Sequence, residues 1–343
     1  MTNVGLAGFG SAGQGIHAPL MRTAGLRVAA VSTSNAERAA QAREENPGVQ
    51  VVPDLAALLA TPGLDLVVLA TPSGAHAAQA RQVIDAGLPV VVDKPLATSA
   101  PDAHAVVEAA AAAGVPLTVF QNRRFDAEHV TARELVRDGE LGDVFRAEIR
   151  WERWRPEPKD RWRENAAWQD GGGIMLDLQT HLLDQAVDLF GPVEAVYAEV
   201  AAHTTAAEDE AFLACRHVSG VRSHLGTTSV AAAPGPRLRL LGRRAAYVLN
   251  EFESDLDIYA DLRNQDADHC GWVYAGESRR PVRRRDSSQV DFYRAVAQAL
   301  TAADPQAAMP VDPRDAVHTL AVIDAARVSA GTGTVARVQT PGA

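Results

Sequence analysis

Cysteine is nearly absent from this chain. Its 343 residues hold Cys215 and Cys270, far apart and in no C-x-x-C pair. A disulfide framework and a thiolate metal site are therefore excluded as organising devices, and a reducing cytoplasm is the expected compartment. No uninterrupted apolar run is long enough to span a bilayer, so no membrane association is expected. The opening MTNVGLAGFGSAG has no basic segment ahead of it, and it reads as a first strand entering a glycine loop rather than as a signal peptide. Positive charge is in short supply: 33 Lys and Arg stand against 43 Asp and Glu, for a net charge of -10. That balance argues against nucleic acid as a partner. The local exception is the run Arg279, Arg280, Arg283, Arg284 and Arg285, expected to be a solvated loop rather than an anion site. Internal repeats and low-complexity tracts are also missing. What remains, 47% hydrophobic and 22% charged residues, is the composition of an ordinary globular protein, and the length suits two domains.

The first third alternates strand and helix. Residues Asn3 to Ala7 form a short apolar strand, and Gly8, Gly10 and Gly13 follow at once as G-x-G-x-x-G before a helical pattern running to about Ala24. The first glycine permits the tight turn, the second admits a pyrophosphate, and the third lets helix pack on strand. The helix N-terminus then offers free N–H groups to the phosphates. Further strands are expected at Arg27 to Val31, Gln50 to Val52, Asp65 to Ala70, Pro89 to Val92 and Pro116 to Phe120. Their near-continuous Val, Leu and Ala runs suit a parallel sheet covered on both faces. Ligands of such sheets bind beyond the carboxyl ends of the strands, where this sequence collects the glycine loop, Thr33, Ser34, Thr71, Pro72, Lys94, Asn122 and Arg123. An acidic residue after the second strand would hold the ribose hydroxyls of NAD and repel a 2′-phosphate. Thr33 and Ser34 stand there instead, with Arg38 one helical turn on. NADP is therefore favoured over NAD.

After about Gln121 the pattern changes. In VFRAEIRWE, Phe145, Ala147, Ile149 and Trp151 alternate with Arg146, Glu148, Arg150 and Glu152, the period of a half-buried strand. More strands are expected at Glu194 to Val200, Ala211 to His217, Arg222 to Ser229, Leu238 to Leu241 and Ala246 to Leu249. Helices are expected near Asp126 to Arg137, Ile174 to Phe190, Gln289 to Ala302 and Arg314 to Ala330. Strand following strand predicts an open, largely antiparallel sheet. A second copy of the chain is the expected cover for its bare face. The fold class is thus an α/β Rossmann domain over residues 1–121 followed by an α+β domain over residues 122–343 that binds substrate and dimerises. Asp177 and His181, four apart on a helix, share a face. Histidine can take a proton from a hydroxyl near neutrality, and a carboxylate beside it can hold substrate or imidazole. The ammonium of Lys94 suits stabilisation of negative charge on a reacting oxygen. Gly171 to Gly173 admit a close backbone approach.

These motifs resemble the glucose–fructose oxidoreductase, inositol dehydrogenase and MocA (Gfo/Idh/MocA) family over essentially the whole chain. DKP stands where the family usually has EKP, and GGGIMLDLQTHLLD is similar to its G-G-G-x-x-x-D-x-G-x-H-x-x-D helix. VVVDKP, FQNRRFD, ERWRPEPKDRWRE and DLQTHLLDQAVDLFG resemble the branch containing NADP-dependent scyllo-inositol dehydrogenases. The resemblance implies a catalytic set of Lys94, Asp177 and His181, with His181 as general acid/base. It also implies a cofactor site of Gly8, Gly10, Gly13, Thr33, Ser34, Thr71, Pro72 and His76, with Asn122 and Arg123 near it. The expected activity is hydride transfer between a nicotinamide cofactor and a secondary alcohol of a polyol or sugar, in a homodimer or a dimer of dimers, without metal. The rivals are a nicotinamide-dependent glycosidase and a non-catalytic cofactor-binding regulator, which would be expected to lack Lys94 or His181. Asp93 for Glu, Gln179 for a small residue, and Ser73, Gly74 and Ala75 for a polar run depart from the family pattern. Trp154, Arg155, Trp162, Arg163 and Trp168 read as pocket rim or as packing.

Overall fold

Apolar runs long enough for one strand recur through the first third, and each folds as a parallel strand in the computed structural model, which describes residues 1–250 and 268–342. β1 (Asn3–Ala7), β2 (Arg27–Ser32), β3 (Gln50–Val52), β4 (Leu66–Leu69), β5 (Val90–Asp93) and β6 (Leu117–Phe120) make one sheet in the order β3-β2-β1-β4-β5-β6. The order reverses between β1 and β4, the switch point at which a doubly wound sheet takes its ligand. β4 and β6 are buried along their whole length, as their unbroken apolar sequences require. The connecting helices are α1 (Ala18–Thr23), α2 (Ala36–Glu45), α3 (Leu55–Leu59), α4 (His76–Asp85) and α5 (Ala100–Ala113). The helix after the glycine loop opens with one wide π turn, Gly13–His17, before α1.

The second sheet runs β14-β13-β12-β11-β7-β10-β9-β8-β15. Its strands are β7 (Val144–Glu152), β8 (Val193–Ala201), β9 (Glu210–His217), β10 (Arg222–Thr228), β11 (Leu238–Gly242), β12 (Ala246–Leu249), β13 (His269–Ala275), β14 (Ser278–Arg283) and β15 (Ala336–Arg337). β7 and β10 pair in parallel and the other neighbours antiparallel. Around it lie α6 (Ala127–Arg137), α7 (Trp162–Asn165) and α8 (Thr180–Phe190), with α8 packed on β7 and β10. Ala147, Ile149 and Trp151 turn into this packing and are buried, as the alternation predicts, whereas Phe145, expected on the same face, is exposed and Glu148 is buried.

Three sequence expectations change. The arginine run expected as a loop lies on and just after the edge strand β14. Charge on both faces of that edge strand erases its period-2 signal, and its neighbour β13 also went unread. Those arginines do face solvent: Arg280 pairs with Glu140, Arg285 with Glu134, and Arg279 lies over Trp272. Second, the helix expected from Ile174 is divided, a π turn at Met175–Gln179 preceding α8. Third, after the crossing near residue 122 the chain returns. The first compact unit is Met1–Ala97, Pro101–Asn122 and Gln289–Ala316, and the second is Thr98–Ala100, Arg123–Ser288 and Val317–Ala343. The last helices are α9 (Val290–Ala299), in the first unit, and α10 (Pro313–Thr332). The returning segment is tied to β6, where Thr118 Oγ1 donates to Val311 O and the Leu117 amide to Gln306 Oε1, each at 2.8 Å. Among the described residues no helix is long and apolar enough to cross a membrane.

The junction of α6 and α8 carries an acid-sensitive ion cluster. Asp188 accepts from His129 Nε2 at 2.6 Å and from Arg133 at 3.3 Å, with Arg124 at 3.7 Å. Burial pushes its carboxyl upward, but the His129 hydrogen bond and the charges of His129, Arg124 and Arg133 outweigh burial and hold it at about 2. A depressed carboxylate stabilises the fold above its unfolded value, and that contribution is lost as pH falls through the folded one. The shift from 3.8 to about 2 corresponds to about 2 kcal/mol at neutral pH. Asp188→Asn should lower unfolding free energy by about that amount at pH 7. Denaturant titrations between about pH 4 and pH 2 should then show the variant losing less further stability than the parent. Parallel pH curves would refute the assignment.

Candidate active site

In the first unit the glycine loop is shaped by close backbone approach. Gly8 has φ +90°, and a methyl group there would lie 2.6 Å from the Ala70 carbonyl oxygen. At Gly13 a methyl group would fall inside the Gly8 carbonyl oxygen. Only hydrogen fits at either position, which is the geometry a dinucleotide loop needs. Gly10 is open by contrast, its nearest neighbour being the Arg38 guanidinium at 3.8 Å from where a Cβ would stand. Arg38 comes back over the loop because Asn35 caps α2, its Oδ1 accepting from the Arg38 amide at 3.0 Å. Thr33 and Ser34 sit beside it at the end of β2, Thr33 half-buried and Ser34 exposed. A cation and two hydroxyls thus occupy the position where a carboxylate would exclude a 2′-phosphate. These residues fit a phosphorylated dinucleotide.

The neighbouring strand ends are tied together. Thr71 Oγ1 donates to Gln79 Oε1 at 2.5 Å, Pro72 precedes the short turn Ser73–Ala75, and Asn122 Nδ2 donates to Gln289 Oε1 at 2.8 Å. His76 was expected to face the cofactor, yet it is buried. Its Nδ1 lies 2.7 Å from Pro95 O and its Nε2 2.9 Å from Thr71 O. Burial lowers its pKa, against the charge of Asp93 and the two carbonyls, so it clips two loops together. Lys94 is half-buried at the carboxyl end of β5, and its amide donates to Asp93 Oδ1 at 2.8 Å. Burial pushes the Asp93 carboxyl upward, but the approach of His17 and the charges of His17, Lys94 and His76 hold it below its usual range. His17 Nε2 stands 3.6 Å from Asp93, and His17 Nδ1 lies 2.5 Å from the Tyr293 hydroxyl. Neither His17 nor Tyr293 was legible as a site residue, since they lie 276 positions apart and no local pattern links them.

The second unit holds Asp177 and His181. Asp177 lies in the π turn and His181 in the first turn of α8; such turns recur at functional sites. The His181 ring stacks on Trp151, with centroids 5.6 Å apart and planes 29° apart. Behind Trp151 lie two buried guanidinium groups, Arg123 at 4.9 Å and Arg237 at 5.2 Å. Arg123 pairs with Asp126 at 2.8 Å and Arg237 with Glu128 at 3.2 Å. Arg123 was expected near the cofactor, but it is 1% exposed, its charge committed inside this unit. The glycines before Asp177 serve packing. A methyl group at Gly172 would meet the Ala166 carbonyl, and one at Gly173 would meet the Glu208 carboxyl.

Asp177 also has two cationic neighbours, Arg163 Nε at 3.5 Å and Arg153 at 4.0 Å. Of the five rim candidates, Arg163 is the one that reaches Asp177. It lies over Trp162 at 4.5 Å, Trp168 packs under Arg327 at 4.0 Å, Trp154 is exposed, and the Arg155 amide bonds Ser229 O. Arg153 was missed, although it sits in the same arginine-rich stretch. Among the described residues, no group of three or more His, Cys, Asp or Glu side chains could hold a metal ion.

Comparison with known proteins agrees with this architecture. Residues 2–121 match the model of an oxidoreductase family with an NAD-binding Rossmann fold, and residues 129–248 match the GFO/IDH/MocA C-terminal domain. The scyllo-inositol 2-dehydrogenase (NADP(+)) of Bacillus subtilis is 28% identical over 95% of this chain and 93% of its own. The uncharacterized oxidoreductase YdgJ of Escherichia coli is 37% identical over 71% of this chain and 70% of its own. A solved oxidoreductase from Yersinia pestis superposes with a TM-score of 0.85 at 31% identity, covering 98% of this chain and 97% of that one. The chain is an oxidoreductase with a nicotinamide dinucleotide-binding domain, and it belongs to the GFO/IDH/MocA family.

Proposed function

We propose that this oxidoreductase works with NADP on a secondary alcohol, or the corresponding ketone, of a cyclitol or sugar. The observation that carries the proposal is the placement of Asp177 in the turn just before α8 and of His181 in its first turn, with the His181 ring stacked on Trp151. His181 takes the hydroxyl proton in oxidation and returns it in reduction. Asp177 accepts a hydrogen bond from the substrate hydroxyl. Lys94 stabilises the negative charge that develops on the reacting oxygen. The nicotinamide ring, when bound, accepts or delivers the hydride. The scyllo-inositol 2-dehydrogenase (NADP(+)) that aligns along nearly the full length supports both the cofactor and the substrate class. A homodimer or a dimer of dimers belongs to the same proposal, a second copy covering the open face of the second sheet.

The test is a paired fluorescence titration with NADPH and NADH, followed by a panel of cyclitols and sugars with NADP. NADPH should bind more tightly. Arg38→Ala should weaken NADPH about tenfold or more, the scale of one charge-assisted contact, while barely changing NADH. Equal affinities in the parent protein would remove NADP from the proposal, and no turnover across the panel would remove the substrate class.

A further inference from the structure

We propose that Tyr293 and His17 are positioning residues for Lys94, acting on it through the carboxylate of Asp93. The inference rests on the reading of Lys94 as the group that stabilises charge on the reacting oxygen. All four residues belong to the first unit.

The chain keeps these residues far apart, and the fold of that unit collects them. His17 ends the π turn after the glycine loop, Asp93 ends β5, and Tyr293 lies in α9 on the returning segment. Phe120 stands opposite Asp93 in the register of β5 and β6. Its ring packs on His17 with centroids 4.4 Å apart and on Tyr293 at 5.6 Å. His17 and Tyr293 are both 0% exposed. Neither polar group can reach water, so each must find its partner inside.

The Tyr293 hydroxyl lies 2.5 Å from His17 Nδ1. The other ring nitrogen, Nε2, is buried without a hydrogen bond and stands 3.6 Å from Asp93 Oδ2, beyond hydrogen-bonding length and within Coulombic range. A hydroxyl donating to Nδ1 leaves the imidazole proton on Nε2, turned toward Asp93. The imidazolium keeps a proton there as well. Only the neutral tautomer protonated on Nδ1 turns a lone pair on the carboxylate, and it strands the buried hydroxyl proton without an acceptor among the described residues. Tyr293 thereby selects the ring state that favours a charged Asp93.

Asp93 meets that N–H with one oxygen and accepts the Lys94 amide at 2.8 Å with the other. Lys94 itself and His76 are the further charges acting on it. His76, from α4, holds the next link of the chain, its Nδ1 lying 2.7 Å from the Pro95 carbonyl. The backbone of Lys94 is thus fixed on both sides, as an ammonium aimed at developing charge requires. Apolar side chains would fill the same space at lower cost, so the three polar groups point to a task at the residue where they end.

The experiment labels the full chain with isotope-enriched lysine and reads the backbone amides by NMR at neutral pH. Lys94 and Lys159 are its two lysines, so Lys159→Arg assigns the Lys94 signal. That signal should lie downfield, as a charge-assisted hydrogen bond requires. Asp93→Asn, His17→Gln and Tyr293→Phe should each move it upfield. Tyr293→Phe keeps the ring on Phe120 and removes the hydroxyl alone. With scyllo-inositol and NADP, each variant should lower kcat about tenfold while KM and NADPH affinity stay within about twofold, the pattern of an interaction that counts in the transition state. Adding Tyr293→Phe to Asp93→Asn should cost nothing further, since residues that act through one another are not additive. A Lys94 signal unmoved by Tyr293→Phe, additive losses in the double variant, or a raised KM at parental kcat would each overturn the inference. The amide is read without substrate, which separates the two readings. Signals that move in every variant while scyllo-inositol is not turned over would support the positioning chain and count against the proposed reaction. Turnover that needs Lys94 but ignores Tyr293 would do the reverse.

Discussion

Alanine at Lys94 or at His181 is expected to cut turnover by roughly a hundredfold or more and to leave NADPH affinity within a few-fold of the parent. The size follows from what each group does. A positioned acid/base contributes on the order of a hundredfold or more, and a preorganised cation aimed at developing charge contributes on a similar scale. Neither substitution removes a group that shapes the glycine loop, so cofactor binding serves as the folding control. His181→Ala also strips the stacking partner from Trp151, and a melting curve separates that loss from the loss of a proton carrier. Parent-like turnover in both variants would dismiss the catalytic set. Loss in one alone would retain that residue and release the other.

Gly13→Ala should abolish useful dinucleotide binding, and Gly10→Ala should separate sterics within the protein from sterics against the ligand. The added methyl at Gly13 meets the backbone oxygen of Gly8, which cannot rotate away as a side chain could. Relieving such overlap costs about 1–3 kcal/mol or more, roughly ten- to a hundredfold or more in affinity if the loop must reopen on binding. Gly13→Ala should therefore lower both the melting temperature and NADPH affinity. At Gly10 the same methyl meets the Arg38 guanidinium at an ordinary 3.8 Å, so the folded chain should tolerate it. A loss of affinity there without a loss of stability would report a pyrophosphate passing directly over Gly10. Unchanged affinity in both variants would remove the loop from the cofactor site.

Some site residues were legible because local chemistry exposes them. Lys94 is one of two lysines among 33 basic residues, and it stands at the end of an apolar strand where a parallel sheet displays its ligand groups. Gly8, Gly10 and Gly13 follow a strand at fixed spacing. Asp177 and His181 lie four apart, and one helical register contains both. Others gave no local sign. Arg153 and Arg163 look alike in an arginine-rich stretch with Arg155 and Arg161, and nothing in their order separates those beside Asp177 from Arg161, which binds Glu164. His76 carries the same sequence signature whether its ring faces a ligand or clips two carbonyls.

By itself, then, the sequence determined the elements that depend on neighbours a few residues away. These are the six parallel strands and their glycine loop, strands β7 to β12 of the second sheet, and the helical stretch that holds Asp177 and His181. Periodicity encodes which face of each element is buried, and glycine encodes where backbones approach, so both survive in one dimension. The tertiary structure decided what depends on distant partners. It returned Gln289–Ala316 to the first unit, brought Tyr293 to His17, turned Arg38 over Gly10, and stacked His181 on Trp151. It also buried Arg123 and His76, which the strand ends alone would have offered to the cofactor. Burial and pairing at such positions are set by how packed elements fill space, and residue order does not carry that information locally.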